Sequence, residues 1–170
     1  MSDNIKFYNE TLKRHIKFDE LIEEIANYIN QKPQAKYKIT VGSDSQGSNE
    51  TQFVTAISIL RVGNGGRYFW SKTEKVFCPT LRDRIYKETM HSITFVQELK
   101  SKLKEKLGEE FFWPASQGGD NKIKVHLDVG HNGPTKDFID GMVGMVKGFG
   151  FEAIIKPDSY SAFVLADRHT

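Results

Sequence analysis

Apolar and polar residues alternate along two short stretches of the chain, and an aspartate stands near the end of each. The stretches are Lys38–Gln46 (KITVGSDSQ) and Lys122–Gly130 (KIKVHLDVG). An alternation with a period of two predicts β-strands. Each predicted strand runs into a turn of small residues, so Asp44 and Asp128 are each delivered to the end of a strand.

Other apolar stretches complete a predicted sheet. Residues 52–62 are apolar and β-branched on both faces, which is typical of a strand that is covered on both sides. The turn GNGG at 63–66 predicts a hairpin that leads into a return strand at 67–77. With the strand at 37–43, these segments predict a three-stranded antiparallel meander, and 151–155 predicts a last short strand.

Apolar residues at helical spacing predict four helices. The longest stripe runs over 81–107, where about 1.5 Å per residue gives a helix of about 40 Å, and Gly108 is a natural stop. Further helices are predicted at 19–30, 135–148 and 159–168. The third helix contains three glycines that we interpret as points of close packing on the sheet: Gly141, Gly144 and Gly148.

The order of the predicted elements specifies an α/β fold. An antiparallel meander followed by strands joined through helices predicts a mixed sheet with helices on its faces. The 170 residues suffice for a core without disulfides. We expect a main domain at 36–170, with residues 1–35 forming an N-terminal arm and a helix that pack on it.

Composition narrows the class of protein. The single Cys78 cannot form an intramolecular disulfide or a cysteine zinc cage, and we interpret it as a small buried hydrophobe. No apolar run approaches the roughly 18 residues that span a bilayer, so we expect a cytoplasmic protein without a membrane partner. The net charge of +2 permits a nucleic-acid partner without requiring one.

Asp44 and Asp128 together suggest a metal site. Like charges at neighbouring strand ends repel and raise each other's pKa unless a cation lies between them. Oxygen ligands favour Mg²⁺ or Mn²⁺ over zinc. The alternative is that each aspartate caps its own turn, because aspartate, serine and glycine favour turns.

A third acidic residue, Glu88, falls on the apolar stripe of the longest predicted helix, between Ile85 and Ser92. A buried carboxylate is costly unless it is paired or bound to a metal, so we favour a ligand role. The alternative is a boundary position from which the head group reaches toward Arg84 or Lys87.

Four segments of the chain carry a resemblance to a known family. They are VGSDSQ (41–46), RDRIYKET (82–89), HLDVGHNGPT (126–135) and IKPDSYSAFVLADRHT (155–170). With the order of elements, they resemble the YkuK-type branch of the ribonuclease H-like superfamily over nearly all of 36–170. Members of that branch are predicted nucleases, so the resemblance implies a ribonuclease H-like fold and a carboxylate metal site that acts on phosphodiesters.

The resemblance also implies roles for individual residues. Asp44 matches the aspartate of the first strand of that fold, Glu88 the helix glutamate, and Asp128 the aspartate of the fourth strand. The fourth acidic position is matched by Asp167, while the competing Asp158 is expected to cap the last helix. The implied chemistry is hydrolysis with two Mg²⁺ or Mn²⁺ ions held by the four carboxylates.

The roles of four other polar residues remain open in the sequence. His91 and Lys156 are each either a phosphate contact or an ordinary surface residue. His131 is either a proton shuttle, a contact of the scissile phosphate or a loop residue, and His126 shares a strand face with Asp128.

Two other functions remain as alternatives. One is a catalytically silent ribonuclease H-like module that binds nucleic acid or a protein, and the other is a metal-dependent phosphatase of small nucleotides. The sequence does not distinguish DNA, RNA or hybrid as the substrate, nor endonuclease from exonuclease action.

Overall fold

The structure is a computed structural model, and it describes residues 5–47, 49–113 and 121–159. The strands in these ranges are β1 Lys6–Asn9, β2 Arg14–Lys17, β3 Tyr37–Ser45, β4 Glu50–Thr51, β5 Phe53–Arg61, β6 Gly66–Lys72, β7 Val76–Phe77, β8 Ile123–Gly130 and β9 Glu152–Lys156. The α-helices are α1 Phe18–Asn30, α2 Leu81–Leu107 and α3 Ile139–Gly148.

In the described ranges, the strands form one seven-stranded sheet in the order β2-β1-β6-β5-β3-β8-β9 and a small sheet of β4 and β7. The strands β3, β5 and β6 are antiparallel neighbours, as the predicted meander requires. On the other side of β3, the strands β8 and β9 continue the sheet in the parallel sense. The predicted α/β fold with a mixed sheet is confirmed, and β3 is the interior strand at which the antiparallel part of the sheet meets the parallel part.

The predicted return strand at 67–77 is wrong in its second half. The strand β6 ends at Lys72, and residues 76–77 leave the main sheet to pair with β4. Thr73 explains the break, because its hydroxyl accepts a hydrogen bond from the backbone N–H of Phe53 at 3.0 Å. A side chain thereby takes the place of a backbone acceptor, and regular pairing between β5 and β6 stops.

Residues 6–17 form a β-hairpin that joins the sheet instead of lying on it as an arm. The strand β1 pairs with β2 on one side and with β6 on the other. Phe7 anchors the hairpin, since its buried ring lies 6.0 Å from the ring of Phe18 and 5.4 Å from that of Phe95, between centroids. Four-residue strands are too short to show an alternation in the sequence. The division of the chain at residue 35 stays a prediction.

The helix α2 crosses the sheet with the bounds that its sequence predicts. The hydroxyl of Thr80 accepts a hydrogen bond from the backbone N–H of Asp83 at 3.1 Å and so caps the first turn. Gly108 ends the helix with a φ of 87°, a region that glycine enters at little cost. The fully buried residues of α2 pack on the central strands, and they include Ile93, Val96, Leu99 and Leu103.

The remaining elements differ from their predictions mainly at their ends. The helix α1 begins at Phe18, one residue before the predicted start, and its N-cap is Lys17. The predicted helix at 135–148 starts as a 3₁₀ turn at Lys136–Phe138 before α3 begins. Cys78 is buried, as expected.

Two expectations about helices remain, one for the last predicted helix and one for a membrane-spanning helix. The predicted helix at 159–168 lies outside the described residues beyond Ser159. Among the helices that the structure describes, none is both long enough and apolar enough to cross a bilayer.

Gly141→Ala combined with Gly144→Ala should stabilise the protein by about 1–2 kcal/mol. The prediction that these glycines pack closely on the sheet is wrong, because both are exposed and a Cβ on either would meet no heavy atom within 4 Å. Neither has a positive φ, so alanine fits the helix and restricts the unfolded chain. Urea unfolding measures the change. Gly108→Ala, at positive φ, should destabilise, and a double variant no more stable than the parent would contradict the prediction.

Candidate functional site

Asp44 and Asp128 lie near the carboxyl ends of two adjacent parallel strands. The strands β3 and β8 pair in parallel register as far as Gly42 and His126, and each aspartate follows two residues later. Because parallel strands end at the same edge of a sheet, both carboxylates belong to one edge. The ends of the two strands therefore lie side by side, as the sequence predicts.

The strand β8 bulges where it carries Asp128. It pairs with β9 at His126 opposite Ile154 and again at Gly130 opposite Lys156, so four steps on β8 match two steps on β9. Bulges of this kind redirect side chains and are common beside functional sites. The direction of the Asp128 side chain is therefore set by the bulge as well as by simple alternation.

Asp44 is held in a buried setting at the end of β3. Its side chain is 8% exposed, and one carboxylate oxygen accepts a hydrogen bond from the backbone N–H of Ser45 at 2.8 Å. The preceding residue, Ser43, joins three elements, because its hydroxyl lies 2.8 Å from that of Thr55 on β5 and 3.0 Å from that of Ser92 on α2. This chain of hydroxyl groups fixes the position of α2 against the end of β3.

Glu88 on α2 is buried beside the strand ends, with 7% of its surface exposed. Its carboxylate accepts a hydrogen bond from the hydroxyl of Ser45 at 2.5 Å. The guanidinium of Arg84, one turn earlier on the same helix, lies 4.0 Å away. The alternative of a boundary position is wrong, because Glu88 is buried, although its head group does lie near Arg84 as that alternative expected. The hydrogen bond from Ser45 directs the carboxylate to the end of β3.

Burial raises the pKa of Glu88 to about 8. The negative charges of Asp44 and Asp128 add to the increase, while the hydrogen bond from Ser45 and the charge of Arg84 oppose it. Since both aspartates contribute to the raised pKa, each of them lies within electrostatic range of Glu88. We call these three residues, Asp44, Glu88 and Asp128, the carboxylate cluster.

Asp128 forms an ion pair with Lys156, which ends β9. The aspartate side chain is 25% exposed and that of the lysine 51%, so the pair lies at the solvent margin of the cluster. The pairing offers Asp128 a counterion and supplies a cation at the rim of the site. The sequence alternatives for Lys156 were a phosphate contact or plain surface, and neither anticipated this partner.

The chemistry of the carboxylate cluster suits a divalent metal ion. Its donors are all oxygen atoms, which Mg²⁺ and Mn²⁺ prefer. Burial is the main cause of the raised pKa of Glu88, and a bound cation would relieve the further part that Asp44 and Asp128 add by repulsion. In residues 5–47, 49–113 and 121–159, no three acidic, histidine or cysteine side chains are grouped as tightly as a metal site requires. The cluster fits a cation by its donors and its charge, and not as a preformed cage.

The three histidines whose roles the sequence leaves open have different surroundings. His126 is buried, and its Nδ1 lies 2.9 Å from the backbone carbonyl of Ser159; burial lowers its pKa. His91 is half-buried with its ring 4.9 Å from that of Phe53, and burial lowers its pKa also. His131 is exposed in the turn after β8.

The fourth predicted ligand is outside the part of the chain that the structure describes. Asp167 lies in residues 160–170, so its choice over Asp158 stays a prediction. Asp158 is exposed in the turn after β9.

Two residues that touch the cluster were not anticipated as partners from the sequence. The hydroxyl of Ser45 donates a hydrogen bond to Glu88. The position of Ser45 directly after Asp44 in GSDS is a signal from which a role in the site could have been predicted. Ser43 links the strand end to α2 through Ser92, and no local pattern indicates such a long-range contact.

The chain is similar to a known protein family and to a bacterial protein. The model of the family described as "Ribonuclease H-like" matches residues 20–170. The chain is 33% identical over 175 residues to the uncharacterized protein YkuK of Bacillus subtilis (strain 168), covering 100% of this chain and 99% of that protein. No solved structure matches the chain significantly. The central β3–β5–β6 meander, the parallel β8 and β9 and the helix α2 agree with these matches, so the chain belongs to the ribonuclease H-like family, of the YkuK type.

Proposed function

We propose that the protein is a divalent-metal-dependent nuclease that hydrolyses phosphodiester bonds of nucleic acid. The observation that carries the proposal is the burial of Glu88 against Asp44 and Asp128, which raises the pKa of Glu88 to about 8. A fold gains nothing in stability from three carboxylates brought together, so a site of this kind is a candidate for function. Membership of the ribonuclease H-like family supports an activity on nucleic acid.

The carboxylate cluster would hold the metal, with Asp167 as the predicted fourth ligand. Two bound Mg²⁺ or Mn²⁺ ions would supply an activated water and charge stabilisation of the leaving oxygen. The protein's own part is to orient the ligands. Ser45 fixes the carboxylate of Glu88 by its hydrogen bond, and the backbone N–H of the same residue fixes that of Asp44.

Two cations at the margin of the cluster are suited to meet the substrate. Arg84 lies 4.0 Å from Glu88 and is partly exposed, and Lys156 is half-exposed beside Asp128. Guanidinium and ammonium groups bind phosphate oxygens well. We propose that both contact the backbone of the nucleic acid and place a phosphate over the carboxylates.

A catalytically silent module that binds nucleic acid is the second candidate. The ion pair between Lys156 and Asp128 favours it, because a lysine then occupies one of the carboxylates that a metal would need. The two candidates differ in one measurable property. Only the nuclease requires a divalent ion for its effect on nucleic acid.

Cleavage of labelled nucleic acid tests the proposed function. With Mg²⁺ or Mn²⁺, the purified protein should cleave at least one of single-stranded DNA, duplex DNA, RNA and RNA–DNA hybrid, and EDTA should stop the reaction. Asp140→Asn, an exposed acidic residue on α3, is the matched control and should cleave like the parent protein. Binding without cleavage on all four substrates would contradict the nuclease and support the silent module.

Manganese should raise the thermal midpoint of unfolding of the parent protein. A ligand that binds only the folded state stabilises by RT ln(1 + [L]/Kd), which is about 2.7 kcal/mol at about 100 times Kd. Asp44→Asn should lose most of the increase, since it removes a central ligand of the cluster, and Asp140→Asn should keep it. An equal midpoint with EDTA and with saturating Mn²⁺ would count against a metal site.

A further inference from the structure

A cleft of about 810 Å³ opens between β1 and β6, two strands away from β3. Pockets of roughly 300–1,000 Å³ are the usual size for small ligands and single groups of larger ones. The residues that line the cleft include Lys6, His15, Thr55, Trp70, Lys72 and His91. None of these residues belongs to the carboxylate cluster.

The cleft exists because β1 separates from β6. In the described residues the two strands pair at Tyr8 with Trp70 and at Asn9 with Phe69, and a backbone hydrogen bond from Glu10 to Tyr68 follows. In the other direction, toward Lys6 and Lys72, the pairing does not continue. Two residues further along this register, Lys6 would stand opposite Lys72, and like charges at directly opposite positions destabilise a strand pair. The strands therefore part, and α2 closes the floor of the gap.

The chemistry of the cleft fits a nucleotide of single-stranded nucleic acid. The described residues that line it include two lysines and two histidines but one acidic residue, Glu74. Lys6 and Lys72 are exposed, as phosphate contacts must be. Trp70 offers an aromatic surface on the wall, and the ammonium of Lys72 lies 5.9 Å from the centre of its ring. Aromatic rings beside cations are the usual means of binding single strands.

The ring of Trp70 is held in place before any ligand arrives. Its indole N–H donates to a carboxylate oxygen of Glu10 at 2.9 Å, and the ring of Tyr8 lies 5.4 Å away. A fixed ring loses little entropy on binding, which favours a stacking role.

Two features connect the cleft with the end of β3 that carries Asp44. Thr55, in the wall of the cleft, bonds to Ser43, the residue before Asp44. A second pocket of about 210 Å³ shares Lys72 with the cleft and includes Gln46, two residues after Asp44. With strands about 4.8 Å apart, the cleft lies roughly 12 Å from β3, which is about three or four nucleotides of a stacked strand at about 3.4 Å each.

We propose that this cleft, defined by Lys6, Trp70 and Lys72, binds a nucleotide of single-stranded nucleic acid that lies about three or four positions from the scissile phosphate. Its base stacks on Trp70, and the neighbouring phosphates contact the two lysines. The proposal rests on the proposed nuclease function for the identity of its ligand. The cleft would be a second binding site, which exists because the N-terminal hairpin joins the sheet.

Binding without metal tests the lysines separately from catalysis. In EDTA, a labelled single strand of about eight nucleotides is titrated by fluorescence anisotropy at several salt concentrations. Replacing Lys6 and Lys72 together by alanine should weaken binding and make the fall of log K, the association constant, with log salt less steep. The slope should become smaller in magnitude by about 1.4, that is about 0.7 for each lost phosphate contact. The matched control replaces Lys32 and Lys147, two exposed lysines elsewhere, and should bind like the parent. The proposal would be overturned if the variant without Lys6 and Lys72 kept the affinity and the salt dependence of the parent, as the control variant should.

The fluorescence of Trp70 tests the base. The chain has two tryptophans, so Trp113→Phe leaves Trp70 as the one reporter. Its emission should be quenched by the oligonucleotide and not by inorganic polyphosphate, which carries no bases. An equal response to polyphosphate would limit the cleft to phosphate and overturn base stacking. A response to an uncharged extended peptide alone would assign the cleft to strand addition, which also overturns it.

The outcomes separate this proposal from the proposed function. Loss of binding in the lysine variant, with no cleavage of any substrate by the parent protein, would reject the nuclease and keep the cleft. Metal-dependent cleavage by the parent, with unchanged binding in the lysine variant and a silent Trp70, would keep the nuclease and reject the cleft.

Discussion

Glu88→Gln should make the metal-free protein more stable at pH 8 by about 4 kcal/mol. The folded protein raises the pKa of Glu88 from 4.5 to about 8, chiefly by burial. Between these values the folded state keeps a proton that the unfolded chain has lost, so stability falls as the pH rises through this window. The two pKa values differ by about 3.5, and each pH unit is worth about 1.4 kcal/mol. At pH 8, where the folded carboxyl is about half ionised, this amounts to about 4 kcal/mol, and glutamine carries no charge to bury.

The pH dependence of this effect distinguishes it from better packing. Below about pH 4 the carboxyl is protonated in both states, so the stability difference between Glu88→Gln and the parent should nearly vanish. Urea unfolding in EDTA at both pH values measures it. Glu105→Gln, on the exposed far part of the same helix, should change stability little at either pH. An equal gain at both pH values would contradict the raised pKa.

Asp44→Asn and Asp128→Asn should each reduce phosphodiester cleavage by at least about 100-fold. Loss of a residue that merely supports a metal ligand costs roughly 10–100-fold, so loss of a ligand itself should cost more. Both variants should remain folded, because neither aspartate belongs to the apolar core. Each removes a charge that repels Glu88, so stability without metal should be unchanged or higher.

The control for this loss is a variant with the same chemical change elsewhere. Asp140→Asn removes an exposed carboxylate from α3 and should keep the parent rate. Circular dichroism and urea unfolding establish that each variant is folded before its rate is compared. Parent-like cleavage by both Asp44→Asn and Asp128→Asn would reject the catalytic assignment.

Features that depend on local signals were predictable from the sequence. The bounds of α2 follow from Thr80 and Gly108, which act on neighbouring backbone groups. The strands that carry Asp44 and Asp128 follow from alternation, and the burial of Glu88 follows from its place on an apolar stripe. In each case the information lies within a few residues of the feature.

Features that depend on contacts between distant segments were not predictable. The bulge in β8 appears only when β9 is paired with it, and the ion pair of Asp128 with Lys156 depends on that pairing. The hydrogen bond from Ser45 to Glu88 joins residues 43 positions apart. The hairpin at 6–17 is stabilised by Phe7 against a helix far along the chain, and its own strands are too short to be recognised.

The central claim is that the carboxylate cluster binds divalent metal ions, and crystals soaked in Mn²⁺ test it most directly. Anomalous scattering locates manganese without reference to any activity. The account predicts Mn²⁺ between Asp44 and Asp128, within bonding distance of both and of Glu88, with Lys156 displaced from Asp128. Crystals soaked in Mn²⁺ that show no manganese at these carboxylates, with Lys156 still on Asp128, would contradict it.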